Sequence, residues 1–180
     1  QRVCCPGGAS LFEKLHGKEL SYNNLLDTEA AVSLVDDFDE TTVVIVKHNN
    51  ACGVASRESL REAWIDALAC DPVSAYGGVI AVNEPIDRET AEEIDKLFFE
   101  IIIAPEYNQE ALTILMQKKN RIILRRKSKS RPAAQFRSLL NGVLWQERDN
   151  TIESPADMRP VTTRVPTGSE ITDLVFANKI

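Results

Sequence analysis

Between Thr41 and Leu124 the chain alternates short β-branched apolar runs with segments of helical period, and that alternation restricts it to α/β architectures. The runs are TTVVIVK (Thr41 to Lys47), GGVIAV (Gly77 to Val82), Ile101 to Ala104 ahead of Pro105, and Arg121 to Leu124. TTVVIVK is apolar without interruption, as a strand buried on both faces requires. The intervening helices are expected from about Asp27 to Phe38, from a Ser56 cap with Leu60, Ala63, Trp64, Ala67 and Leu68 on one stripe, from an Asp87 cap through Ala91, Ile94, Leu97 and Phe98, and through Ala111 to Leu115. Repeated βα units with such short connections predict a mostly parallel sheet with helices on both faces.

The flanks differ in character. Gln1 to Gly8 is turn-like, Leu11 to Leu26 carries scattered leucines, and Asn141 to Asp149 (NGVLWQERD) reads as a further strand. RRKSKSR, Arg125 to Arg131, places five cations in seven residues. A solvated loop is the plain reading of that run, and a phosphate or polyglutamyl contact the sharper one. Asn150 to Gly168 reads as a linker before a last amphipathic helix that reaches Ile180 with no stop signal. With Gln1 in place of Met at the start, the chain is expected to be a piece of a longer polypeptide.

A formal charge of −6 opposes binding to a phosphate backbone, while local cations can still hold a small phosphorylated metabolite. No apolar run approaches the roughly 18–20 residues of a membrane span, and no signal-peptide pattern is visible, so a cytoplasmic protein is expected. Cys4, Cys5, Cys52 and Cys70 lie outside CxxC spacing, which suits reduced thiols.

Chemistry concentrates at two strand ends. Lys47 and His48 close the first apolar run, and KHNNACGVA turns through Asn50 and Gly53 toward a helical pattern, which would set the pair at the carboxyl edge of the sheet, where open α/β folds bind ligands. Near neutrality an imidazole is mostly a free base, and an ammonium can counter charge on a developing oxyanion. Adjacent residues of an ideal strand face opposite sides, so the two can meet one ligand only if the chain leaves the strand at His48. The competing reading is a solvated lysine beside a hydrogen-bonded turn histidine. The second end is DPVSAYGG, Asp71 to Gly78, where glycine admits close backbone approach and Tyr76 offers a flat face. His48, Cys52 and Cys70 suggest zinc only weakly: the deaminase signature HxE…PCxxC has Asn50 where its Glu should stand, and no PCxxC follows.

Together LHGKELSYNNLLD, VKHNNACGVA, DPVSAYGGVIAVN, IIIAPEYNQEALTIL and GVLWQERD resemble, in order and over most of the chain, the formyltransferase part of the AICAR transformylase/IMP cyclohydrolase family of purine synthesis. The resemblance implies a cytidine-deaminase-like, three-layer α/β/α unit without zinc. It implies formyl transfer from 10-formyltetrahydrofolate to the amine of AICAR, with no metal. On matching positions His48 is the proton acceptor and Lys47 the charge stabiliser. Asn50 helps shape the KHxN turn and counts with Gly77 and Glu100 as substrate-binding, the latter two toward the nucleotide, with Tyr76 and Val73 beside the folate. Where the bacterial pattern reads KHxNPCG, Ala51 stands here, which frees φ at that position.

The family pattern also implies a homodimer with shared active sites. Residues 1–149 would form a first transferase unit and 150–180 a linker with the start of a helical segment. The second transferase unit and the cyclohydrolase domain would be absent, and the piece alone inactive. A non-catalytic nucleotide-binding or assembly module is the alternative reading, and a zinc deaminase a distant third.

Overall fold

The computed structural model describes residues 11–129 and 132–180. The expectations for Gln1 to Gly8, including Cys4 and Cys5, and for the last two residues of the basic run lie outside the described residues. The chain divides into two compact units, Gln1–Ser128 and Lys129–Ile180.

The first unit is an α/β sheet of six strands in the order β1-β6-β5-β4-β2-β3. The strands are β1 (Phe12–His16), β2 (Thr42–Lys47), β3 (Asn50–Ser56), β4 (Val79–Val82), β5 (Ile101–Ala104) and β6 (Ile122–Arg126). Five helices join them: α1 (Tyr22–Val35), α2 (Leu60–Cys70), α3 (Pro72–Ala75), α4 (Arg88–Ile94) and α5 (Gln109–Leu115). Val43 to Val46 are fully buried, as an uninterrupted apolar run demands of a strand packed on both sides. Val43, Ile45, Ile80, Val82, Ile102 and Ile123 face α2, α4 and α5, where Trp64, Ala67, Ile94 and Leu115 close the main core. On the opposite face α1 packs against β2, β4 and β5.

The helix starts follow their caps. Ser21 and Asn24 exchange side-chain and backbone hydrogen bonds, both 3.1 Å, in a capping box that starts α1 at Tyr22 rather than Asp27. Asp87 caps α4 as expected, accepting from the Thr90 N–H at 2.8 Å. Ser59, and not Ser56, caps α2, accepting from the Glu62 N–H at 3.3 Å.

Three expectations are corrected. The sheet is mixed rather than mostly parallel: β4–β5 and β5–β6 are parallel, while β1–β6, β2–β4 and β2–β3 are antiparallel. The cause lies in the second: Asn50 to Ser56 does not enter a helix but returns beside β2 as strand β3. A two-residue connection forces that neighbour to be antiparallel. The third concerns the basic run. Arg125 and Arg126 belong to β6, and their charges are met by Glu13 and by Asp36, the latter in a nearly buried bidentate pair.

The second unit holds the hairpin β7 (Ala134–Leu139) and β8 (Gly142–Glu147), a short 3₁₀ turn Pro155–Asp157, and the helix α6 (Gly168–Asn178). Among the described residues no helix is long and apolar enough to cross a membrane.

Gly53 is where α2 comes closest to β3: a Cβ there would lie 2.1 Å from the Ala67 carbonyl oxygen. Because a backbone atom cannot rotate away, Gly53→Ala is expected to lower stability by about 1–3 kcal/mol. The denaturation midpoint checks this against Gly168→Ala, whose added methyl meets nothing within 4 Å.

Candidate active site

The β2–β3 hairpin pairs Lys47 with Asn50, leaving His48 and Asn49 as a two-residue loop. Their φ angles are 54° and 63°, both left-handed, as a type I′ turn requires. Such loops favour Asn-Gly, and an L-residue in this region costs roughly 1–2 kcal/mol. The turn is held at both ends. The Asn49 N–H donates to Asp27 Oδ1 at 2.8 Å, and Asn50 Nδ2 donates to the His48 carbonyl oxygen at 2.9 Å. Leaving the strand in this way cancels the alternation of faces, and Lys47 and His48 line one cleft.

That cleft, about 660 Å³, is also lined by Lys18, Ser21, Asn24, Asp27, Tyr76, Gly77 and Glu100. Lys47 Nζ donates to the Tyr76 carbonyl oxygen at 2.8 Å, which ties β2 to the turn ahead of β4. Gly77 takes φ 76° and donates its N–H to the Phe98 carbonyl oxygen at 2.8 Å. The rings of Tyr76 and Phe98 stack at a tilt, centroids 5.1 Å apart, and both are at least half exposed. Glu100 stands just before β5. Its Oε2 accepts from Asn24 Nδ2 at 3.1 Å and from Lys18 Nζ at 3.4 Å.

Asp71 caps α3, accepting from the Ser74 hydroxyl at 2.6 Å and the Ser74 N–H at 2.9 Å, and these bonds hold its carboxyl below the usual carboxylate range. The half-buried Cys52 lies in β3. Burial pushes its thiol up, with the Asp71 carboxylate adding to the effect.

The structure therefore brings Lys47, His48, Tyr76, Gly77 and Glu100 into one cleft. Two predicted residues stand apart from its lining. Asn50 braces the turn from behind, and Val73, on α3, is 83% exposed. The cleft lies at the carboxyl end of β2 but at the amino ends of β4 and β5, because β2 runs against β4 with Val46 opposite Val79. The expected carboxyl-edge position thus holds for one strand only. Among the described residues no three His, Cys, Asp or Glu side chains gather in a metal-binding arrangement.

Sequence reasoning missed the contribution of α1 and its approach, namely Lys18, Ser21, Asn24 and Asp27. The Ser21-x-x-Asn24 spacing was the available signal, since it starts the helix at the polar segment that reaches the cleft.

Residues 4–180 match the family model described as AICARFT/IMPCHase bienzyme. The chain is 60% identical over 171 residues to the bifunctional purine biosynthesis protein PurH of Bacteroides thetaiotaomicron, covering 95% of this chain and 34% of that protein. It is 50% identical over 172 residues to the PurH of Chlorobium phaeobacteroides strain BS1, covering 94% of this chain and 33% of the relative. With the PurH of Parvibaculum lavamentivorans it shares 48% identity over 179 residues, 96% and 33% of the two chains. The chain spans about a third of the length of these relatives.

The left-handed conformation of His48 gives a direct check on the turn. Glycine takes φ 54° without a steric penalty. Its larger loss of chain entropy offsets part of that gain, so His48→Gly is expected to raise stability by up to about 1 kcal/mol. A lowered denaturation midpoint would show that the imidazole stabilises the turn instead.

Proposed function

The chain belongs to the AICARFT/IMPCHase bienzyme family, the bifunctional enzymes of purine biosynthesis, and from that premise we propose that its cleft serves the formyltransferase half of the bienzyme. The reaction moves a formyl group from 10-formyltetrahydrofolate to the amine of AICAR. The observation that carries this reading is the meeting of Lys47, His48, Tyr76, Gly77 and Glu100 around one opening.

The amine of an aromatic carboxamide is a poor nucleophile, and the formyl carbon is amide-like. As the nitrogen attacks and the C–N bond forms, His48 takes the proton that the amine must lose. Negative charge gathers on the formyl oxygen, where the Lys47 ammonium stabilises it. Lysine has three N–H donors, so the bond to the Tyr76 carbonyl leaves two for the reacting oxygen. Collapse of the oxyanion breaks the bond to folate N10, which leaves with the proton that His48 had taken from the amine, and the imidazole is a free base again. Each residue is worth roughly a hundredfold or more by general-base and electrostatic catalysis.

Glu100, held by Asn24 and Lys18, accepts a hydrogen bond from a hydroxyl or amide of the nucleotide in this reading, and its place in the cleft lining supports it. The left-handed Gly77 lets backbone approach it, and Asn50 supports the base from behind. Exposed Tyr76, and Val73 on α3, are the positions for the folate ring system. The first compact unit is cytidine-deaminase-like in this reading; residues 1–149, which run past its boundary at Ser128 through the hairpin, make up the first transferase segment, and 150–180 lead onward. A second transferase unit and another subunit of a cytoplasmic homodimer complete the site, and the piece alone does not turn over.

In a full-length bienzyme carrying this segment, His48→Ala is expected to lower formyl transfer to AICAR by at least about a hundredfold and to leave cyclohydrolase turnover intact. Steady-state rates of the two half-reactions measure this. Undiminished transfer would make the cleft a binding or assembly surface.

A further inference from the structure

We propose that Asp27 is a positioning residue for His48: from α1 its carboxylate holds the left-handed turn that carries the imidazole, and so sets where the base stands in the cleft.

His48 and Asn49 both sit in a sparsely populated backbone region, with φ 54° and 63°. Without glycine, the chain tends to leave such a conformation unless its surroundings hold it there. The hold comes from three sides. Asn50 Nδ2 fastens the His48 carbonyl at 2.9 Å, and Lys47 Nζ fastens the preceding residue to the Tyr76 carbonyl at 2.8 Å. Asp27 fastens the peptide that follows His48, its Oδ1 accepting the Asn49 N–H at 2.8 Å. Only this third bond has a carboxylate acceptor for a backbone donor, and hydrogen bonds to charged groups contribute more than neutral ones.

The anchor is also rigid. Asp27 lies in α1, whose Thr28, Ala31 and Val35 are buried against the sheet and whose start is fixed by the Ser21–Asn24 box. A side chain on such a helix transmits the position of the sheet to the turn, which a loop residue would not. Asp27 lines the same cleft as His48. With Oδ1 committed to the Asn49 N–H, its part is to orient the turn.

The catalytic consequence rests on the formyl-transfer reading above; the anchoring itself does not. Two measurements therefore test it. In the 180-residue chain, Asp27→Ala is expected to speed exchange of the Asn49 N–H by about tenfold or more, the worth of one charged hydrogen bond. Asp27→Asn, which keeps an oxygen acceptor, is expected to speed it far less. Alanine is the stronger helix former, so α1 is not put at risk by the first variant.

In a full-length bienzyme, Asp27→Ala is expected to lower kcat for formyl transfer with the KM for AICAR held, and Asp27→Asn to recover most of the loss. Unchanged exchange in Asp27→Ala overturns the proposal. So does an Asp27→Asn enzyme as slow as Asp27→Ala, because charge and not position would then be at work. A wild-type bienzyme that transfers no formyl group defeats the functional reading alone, and the exchange result still decides whether Asp27 holds the turn.

Discussion

Strand β2 runs against both of its neighbours, and two antiparallel ladders hold it in the register that sets Val46 opposite Val79 and Lys47 opposite Asn50. Slipping that register by one residue would turn its alternating side chains to the wrong faces. Val43 and Ile45 serve the core under α2, and their neighbours serve the face under α1, so a slip would disturb both. Lys47 and His48 inherit their position from this constraint. They emerge where β4 and β5 begin, and the YGG turn and Glu100 precede those two strands. One reversed strand thus gathers a lysine, an imidazole, an aromatic turn and a carboxylate from distant parts of the sequence.

The same edge is closed from the other side by glycine. Gly17, at φ 97°, lets the chain from β1 pass so near the start of β6 that a Cβ would lie 2.2 Å from the Arg121 carbonyl oxygen. That crossing delivers Lys18 and the start of α1 to the cleft. Arg121 is itself buried, its guanidinium 4.1 Å from the Phe99 ring and 2.6 Å from Asp95. Asp95 reaches this buried guanidinium from a partly exposed position and compensates its charge, which helps hold the base of this edge. Firm support permits strain above it, where His48 is kept in a conformation that it would not adopt alone.

Sequence reading grouped the residues of the cleft better than it read the topology: Lys47, His48, Tyr76, Gly77 and Glu100 line one opening, while the direction of β2 was missed. TTVVIVK, GGVIAV and the Asp87 cap were legible because apolar continuity and capping are local signals. The β3 segment was not, since Ala51, Cys52, Gly53 and Ala55 are too small and too few to distinguish a strand from a helix start. Gly53 is small for a tertiary reason, the close passage of α2, and no local rule announces that. Missing β3 hid the reversal of β2 and made the sheet look mostly parallel. Edge strand β1, FEKLH, was hidden because the adjacent charges Glu13 and Lys14 break any period of two, and β6 was cut short at Leu124 because Arg125 and Arg126 read as a loop until Glu13 and Asp36 are seen beside them. The Lys47–His48 pair survived these errors, because leaving the strand at His48 depends only on the two residues of the turn.

The two compact units are held by different physics. In the first, buried side chains from strands β2 to β6 and from all five helices join distant parts of the chain. In the second, none of the described residues from 129 to 180 is buried, and the hairpin leaves Phe136, Val143 and Trp145 each more than half exposed. Short-range devices supply its order: the β7–β8 ladder with Phe136 across from Trp145, and the Thr167–Glu170 capping box of α6 reinforced by Arg164 at 2.6 Å. A two-stranded ribbon is marginal by itself in water, and surface ion pairs add at most about 1 kcal/mol. Stability of the cleft therefore depends on the first unit, whose long-range packing fixes β2, α1 and the left-handed turn between them.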